Sequence, residues 1–298
     1  MSEAGLRCSM ASLDLEVTIR FPTRQQAELA RELVADRVSG ARLPVGKWQV
    51  LDDASDARVR ASVQADDAGG LTVSYGGAVS CPPYAVDRAG FHWDFTRIVT
   101  ALAFPQLLDT GMIPVHAACL LIDGTLVLLP GSSGAGKSSL SFAALGAGHR
   151  VIATELAFIR DLKLVASNSR LSIDPGALKF FGLATPSAVE ICDGRVTVET
   201  QRLDGPTRVD RLVFPRVTTG AVHHRPITPR RARMLLFQNV ISELPVSQLI
   251  SHESHPLGGA ITGEQYATIA DQVAKLSQLD PQIIEGPPAS VLNAVSDR

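Results

Sequence analysis

The sequence predicts an α/β protein: a nucleotide-binding core preceded by a smaller α+β unit. Three observations carry that expectation. An apolar segment at 125–129 runs without a break into a glycine-rich loop and then into a helical pattern starting at Lys137, the strand, loop and helix order of α/β folds. The first third of the chain alternates apolar and polar residues in several short runs around one helical stretch. With 298 residues and 45% hydrophobic content there is ample material for one large or two ordinary cores.

In chain order, 13–20 reads as an alternating strand and 23–36 as a helix. Strands at 57–64 and 71–75 follow, separated by a loop at Asp66, Asp67, Ala68, Gly69 and Gly70. Pro82 and Pro83 are expected to break regular structure, and 91–108 to form a largely apolar helix that Pro105 kinks or stops. The longest apolar stretch, 117–130, is divided by Asp123-Gly124, a pair favoured in tight hairpin turns, so it reads as two antiparallel strands. After the loop come a helix at 137–145 and strands at 150–153, 170–173, 195–199 and 211–214. Helices follow at 228–244 and 263–278, the first opened by Thr228-Pro229. The expected organisation is an N-terminal α+β unit over 1–110, a nucleotide-binding domain over 111–285 and a flexible tail over 286–298.

Composition narrows the partners. Twenty-eight basic residues against 30 acidic ones give a net charge of −2, so no overall field draws the chain to nucleic acid or to a membrane surface. No apolar run has the length of a signal peptide core or a membrane span. Cys8, Cys81, Cys119 and Cys192 are widely spaced, without the close pairs of a zinc site or a disulfide framework. A cytoplasmic protein is the expectation.

The chemistry is concentrated in Gly131, Ser132, Ser133, Gly134, Ala135, Gly136, Lys137 and Ser138, which match G-x-x-x-x-G-K-[ST] between a strand and a helix. Glycines let successive backbone N–H groups turn toward phosphate oxygens, and the helix that follows adds the positive end of its dipole. The nucleotide is expected to be ATP. Lys137, expected to face solvent, would reach the β- and γ-phosphates. The Ser138 hydroxyl would ligate Mg²⁺, a cation that takes oxygen ligands; Ser139 extends the binding segment. An ordinary glycine turn is the bland alternative.

Beyond the loop, His116 after Pro114-Val115, the run from Ala147-Gly148-His149 through Thr154-Glu155-Leu156, and the segment Asp210 to Arg216 resemble HPr kinase/phosphorylase and its kinase-like relatives over about 110–245 of this chain. The resemblance implies the nucleotide-binding fold shared with phosphoenolpyruvate carboxykinase, and phosphoryl transfer to a hydroxyl group. It places His116 near the transferred phosphate and Glu155 as a metal- or water-linked carboxylate; family members also form oligomers, which makes a homo-oligomer an expectation. Two departures stand out. Thr154 occupies the place of an aspartate base, a role a neutral hydroxyl does not fill. If 178–183 corresponds to the family's Leu-Glu-Ile-Arg-Gly-Leu signature, Lys179 replaces a metal-binding glutamate and Phe181 an arginine; Lys179 could then contact phosphate as a point charge.

Read on their own, these residues keep bland alternatives. His116 suits a turn after Pro114 as well as a site, Glu155 a solvated strand end, and Arg216 either a nucleotide contact or an exposed strand end. His149 fits the end of a helix. His223 and His224, adjacent on a strand, would point to opposite faces, and Arg230, Arg231 and Arg233 read as a solvated helix face. Three functions follow: a kinase acting on a small protein, a peptide or a small metabolite, a nucleotide-binding accessory module, and an ATP hydrolase. The carboxylates Asp161 and Asp174 stand behind Glu155 as further candidates.

Overall fold

The computed structural model describes residues 3–10, 13–35, 47–68, 70–77, 81–168, 170–183, 190–192, 194–201, 204–244, 249–250, 255–256 and 261–296. They form a mixed α/β structure with several sheets and, among the described residues, seven helices. The chain divides into two compact units, Met1–Thr110 with Ile241–Tyr266, and Gly111–Val240 with Ala267–Arg298.

The first unit holds strands β1 (Ala4–Met10) and β2 (Leu15–Phe21), helix α1 (Arg24–Ala35), strands β3 (Lys47–Leu51), β4 (Val59–Ala65), β5 (Leu71–Gly77) and β6 (Cys81–Val86), and helix α2 (Arg88–Asp109). The strands make one sheet in the order β3-β1-β2-β4-β5-β6. Strand β1, in a segment with no expected element, alternates Leu6, Cys8 and Met10 into the core. Pro82 and Pro83 do not end regular structure as expected, because β6 is an edge strand whose register with β5 shifts between Val73 and Tyr75, leaving both prolines out of the paired ladder. Nor does Pro105 stop α2. That helix is apolar around its circumference, with Phe91, Phe95, Ile98, Leu102, Phe104 and Leu107 all buried, and this packing offsets a break that costs about 3 kcal/mol in an isolated helix. Asp87 caps its start, accepting the Gly90 N–H at 2.6 Å.

The second unit opens with the hairpin of β7 (Ile113–Ile122) and β8 (Thr125–Pro130), turned by Asp123 and Gly124 at φ 47° and 83°, the pair of positive values that marks a type I′ turn. Helix α3 (Lys137–Gly146) follows. Next come β9 (Arg150–Ala153), β10 (Leu156–Arg160), β11 (Lys163–Ser167), β12 (Arg170–Ile173), α4 (Pro175–Phe181), β13 (Glu190–Cys192), β14 (Arg195–Glu199), β15 (Thr207–Arg208), β16 (Arg211–Val217), β17 (His223–Pro226) and α5 (Pro229–Ile241). The two-residue strands β18 (Leu249–Ile250) and β19 (His255–Pro256) belong to the first unit, then α6 (Gly263–Leu276), β20 (Gln282–Gly286) and α7 (Pro288–Ser296) close the chain.

The main sheet of this unit runs β15-β11-β10-β7-β8-β16-β20-β17, with β9 also paired to β7. It is mixed: β8, β16 and β20 are parallel, whereas β7, β9, β10 and β17 pair antiparallel. Its core joins Leu120, Val127, Leu129, Leu140, Val213 and Ile284 to Val291, Leu292 and Val295 of α7. The expected flexible tail is therefore a docked helix. Its apolar residues recur at helical spacing directly after Pro287-Pro288, and Pro288 sits in the first turn, where no N–H is needed.

Candidate functional site

Strand β8, buried from Leu126 onward, delivers the chain to the sheet edge at Pro130. The loop at 131–136 is anchored from both neighbours: the Gly131 N–H donates to the His116 carbonyl of β7 at 3.3 Å, and the Val217 N–H at the end of β16 donates to the Ala135 carbonyl at 3.1 Å. Within the loop, the Ala135 N–H closes a turn onto the Ser132 carbonyl at 3.1 Å. Gly136 has φ 87°, and a Cβ there would lie 2.2 Å from the Val217 Cβ, so both the backbone angle and the close approach of β16 exclude a side chain. Among the described residues, the N–H groups of Ser133, Gly134 and Gly136 have no protein acceptor, and Ser132, Ser133 and Gly134 are exposed.

Lys137, expected to face solvent, is buried. Its Nζ turns back on the loop, donating to the Gly131 carbonyl and to that of Ser132 at 3.2 Å. These carbonyl oxygens compensate the charge that burial would otherwise strand. Ser138 is half-buried and Ser139 buried in the first turn of α3.

On the other side of β7 lies the turn between β9 and β10. Leu156 pairs with His116, and the Ala117 N–H donates to the Glu155 carbonyl at 3.1 Å. His116, Glu155 and Gly131 are thus neighbours across β7 at one sheet edge, and two strand spacings put the Glu155 and Gly131 backbones roughly 10 Å apart. His116 and Glu155 are both half-buried.

The residue that shapes this turn is Asn168, which the sequence reading did not single out. Its Oδ1 accepts three successive N–H groups, from Thr154 at 3.0 Å, Glu155 at 3.1 Å and Leu156 at 3.2 Å. Its Nδ2 donates to the Thr154 Oγ1 at 2.6 Å and the Arg170 carbonyl at 3.1 Å. Thr154, buried, donates its own hydroxyl hydrogen bond to the Arg170 carbonyl at 2.7 Å. An asparagine set between Ser167 and Ser169 carries no local motif, so only its place beside the turn in the fold reveals it.

The remaining candidates scatter. Arg216, on β16 beside Val217, is exposed and forms a 3.4 Å ion pair with Glu285 of β20. Lys179 and Phe180 are exposed on α4, and the Phe180 and Phe181 rings meet edge to face with centroids 4.9 Å apart. Asp174 caps α4, accepting from Gly176 at 2.7 Å and Ala177 at 3.3 Å. Asp161 lies at the far end of β10 from Glu155, where hydrogen bonds from Lys275 and Gln272 hold its carboxyl below the usual carboxylate range. Neither aspartate shares the edge where Glu155 meets β7. The Nε2 of His224 lies 2.7 Å from the accepting Oε1 of Gln282, while His223 is exposed. Cys119, inside β7, is fully buried, and burial pushes its thiol up, away from reactivity.

No group of three or more His, Cys, Asp or Glu side chains among the described residues is arranged to hold a metal ion. The oxygen donors at the loop edge, the Ser138 hydroxyl and the Glu155 carboxylate, suit a hard cation that completes its shell with phosphate and water. Among the described residues no helix is long and apolar enough to cross a membrane. Against known proteins, no family model matches the chain and no curated protein matches it.

Proposed function

We propose that this chain binds ATP through the loop at 131–138 and transfers the γ-phosphate to a hydroxyl group of a small protein, a peptide or a small metabolite. The observation that carries the reading is the open loop: N–H groups that find no protein acceptor among the described residues, held in place from β7 and β16, beside a lysine whose Nζ donates to two loop carbonyls. Triphosphate oxygens satisfy those N–H groups, and the α3 N-terminus adds its dipole. Lys137 exchanges its two carbonyl partners for phosphate oxygens when the triphosphate enters. Mg²⁺, where bound, would be held by the Ser138 hydroxyl and Glu155 and would neutralise phosphate charge.

In the transfer step the acceptor oxygen bonds to the γ-phosphorus while the bond to the β,γ-bridging oxygen breaks and ADP leaves. Glu155 orients the acceptor hydroxyl and takes its proton. His116, whose carbonyl holds Gly131, stands between the two halves of the site as a phosphate contact. Arg216 extends it along β16. These roles follow the resemblance to HPr kinase/phosphorylase, and so does the fold type shared with phosphoenolpyruvate carboxykinase. A homo-oligomer remains part of the proposal.

A second reading, a nucleotide-binding accessory module, is favoured by one observation: Thr154 stands where the family has its base, and its hydroxyl is fully engaged inside the fold. ADP release measured with and without candidate acceptors separates the readings. Acceptor-dependent release supports the kinase, release into water alone a hydrolase, and tight ATP binding without any release the accessory module.

A further inference from the structure

We infer that Asn168 is the positioning residue for the Glu155 carboxylate, and that Thr154 is its working partner. The inference rests on the phosphotransfer reading of the loop edge. Asn168 is fully buried, and its own N–H donates to the Leu156 carbonyl at 3.2 Å. Together with the three N–H groups converging on Oδ1, this ties the whole turn to one side chain. Glu155 is held at both of its backbone polar atoms, the N–H by Asn168 and the carbonyl by the Ala117 N–H of β7. The turn cannot rotate about Glu155 without breaking several buried hydrogen bonds together, so the Cα–Cβ direction of Glu155 is set before any ligand arrives.

The hydrogen-bond polarity explains why the clamp needs an asparagine and a threonine. The Arg170 carbonyl accepts from both the Asn168 Nδ2 and the Thr154 hydroxyl, and a carboxylate at either position would have no proton to give it. Thr154 is thereby a structural donor and acceptor rather than an empty catalytic position. The base's role falls to Glu155, which the clamp presents at the edge beside His116 and Gly131.

The test uses adenylyl imidodiphosphate binding by calorimetry, first with metal removed and then with Mg²⁺, in the full chain and in Asn168→Ala, Glu155→Gln and the double variant. Asn168→Ala should keep metal-free affinity within about twofold, while the gain in affinity on adding Mg²⁺ falls about tenfold or more, the usual scale for losing a group that orients a metal ligand. The double variant should lose no more than Glu155→Gln alone, because the two residues act through one carboxylate. Additive losses, or a metal-free affinity that falls together with the Mg²⁺ effect, would overturn the inference in favour of a merely structural asparagine. Should Asn168→Ala not fold, Thr154→Val removes only the partner hydroxyl. It should reduce the Mg²⁺ effect several-fold and leave metal-free binding alone, and an unchanged Mg²⁺ effect in that variant also overturns the inference. Absence of turnover in the wild type with every acceptor would sink the kinase reading, yet the binding cycle would still decide the role of Asn168.

Discussion

At one edge of the main sheet, two short stretches of backbone each present three N–H groups outside strand pairing. At 154–156 the three N–H groups converge on the Asn168 side chain, whereas at 133–136 those of Ser133, Gly134 and Gly136 find no protein acceptor among the described residues. The difference follows burial. Thr154 is 2% exposed, and a buried N–H left unpaired costs about 1–3 kcal/mol, so the turn carries its own acceptor. Ser133 and Gly134 are exposed, so solvent can satisfy their N–H groups without a protein acceptor. The filled cradle fixes the backbone of Glu155, and the open one leaves its N–H groups to solvent; under the proposed function the first holds the carboxylate and the second takes the triphosphate.

The largest effect that would break this comparison is at Lys137. We expect Lys137→Ala to weaken ATP binding by on the order of 10²-fold, as loss of a charged group in a phosphate site does. Because Lys137 is buried against two carbonyls, the variant should also lose some stability. Calorimetry and a thermal melt read both, and unchanged affinity would mean that the open loop does not take a triphosphate.

Glu155→Gln keeps shape and hydrogen bonding but removes charge. Turnover should fall by on the order of 10², the scale of a lost general base, with metal-free nucleotide affinity retained. A variant that turned over normally would detach the filled cradle from catalysis.

The glycines sharpen the contrast within the open loop. Gly134→Ala meets open space and carries only the strain of φ 83°, about 1 kcal/mol. Gly136→Ala adds the overlap with Val217 and should cost about 2–4 kcal/mol and displace the loop or the end of β16. Equal melting temperatures for the two variants would contradict the anchoring of the loop by β16. Thr154→Asp probes the filled cradle in the same way. It buries a carboxylate against the Arg170 carbonyl, so we expect a loss of about 1–3 kcal/mol in denaturant melts instead of a gain in turnover.

The smallest effect lies at Asp161, away from both cradles. Its folded carboxyl titrates below the unfolded value because of Lys275, so its contribution to stability is full above the ordinary aspartate range and lost as pH falls through the lowered folded value. The pair is exposed, and Lys275→Ala should flatten the acid limb of the melting curve only slightly. A large change there would give this remote carboxylate more weight than the geometry does.

Local patterns in the chain were enough for the β7–β8 hairpin, the loop at 131–136 and α3, since Asp123-Gly124, three glycines and the Lys-Ser pair act within a few residues of themselves. The same locality misjudged Pro82-Pro83 and the last helix and left open whether Pro105 would stop its helix, outcomes that a sheet edge, docking on the main core and an apolar environment decided. Gly136 was legible as a glycine of a loop, but that it must be one follows from Val217, which pairing of β16 with β8 brings against it. Likewise Glu155 was visible as a carboxylate after a strand, and Thr154 as a departure from an expected acid. Only the return of the chain through β11 put Asn168 beneath them, because a buried N–H group takes whichever acceptor the fold carries to it, regardless of distance along the sequence.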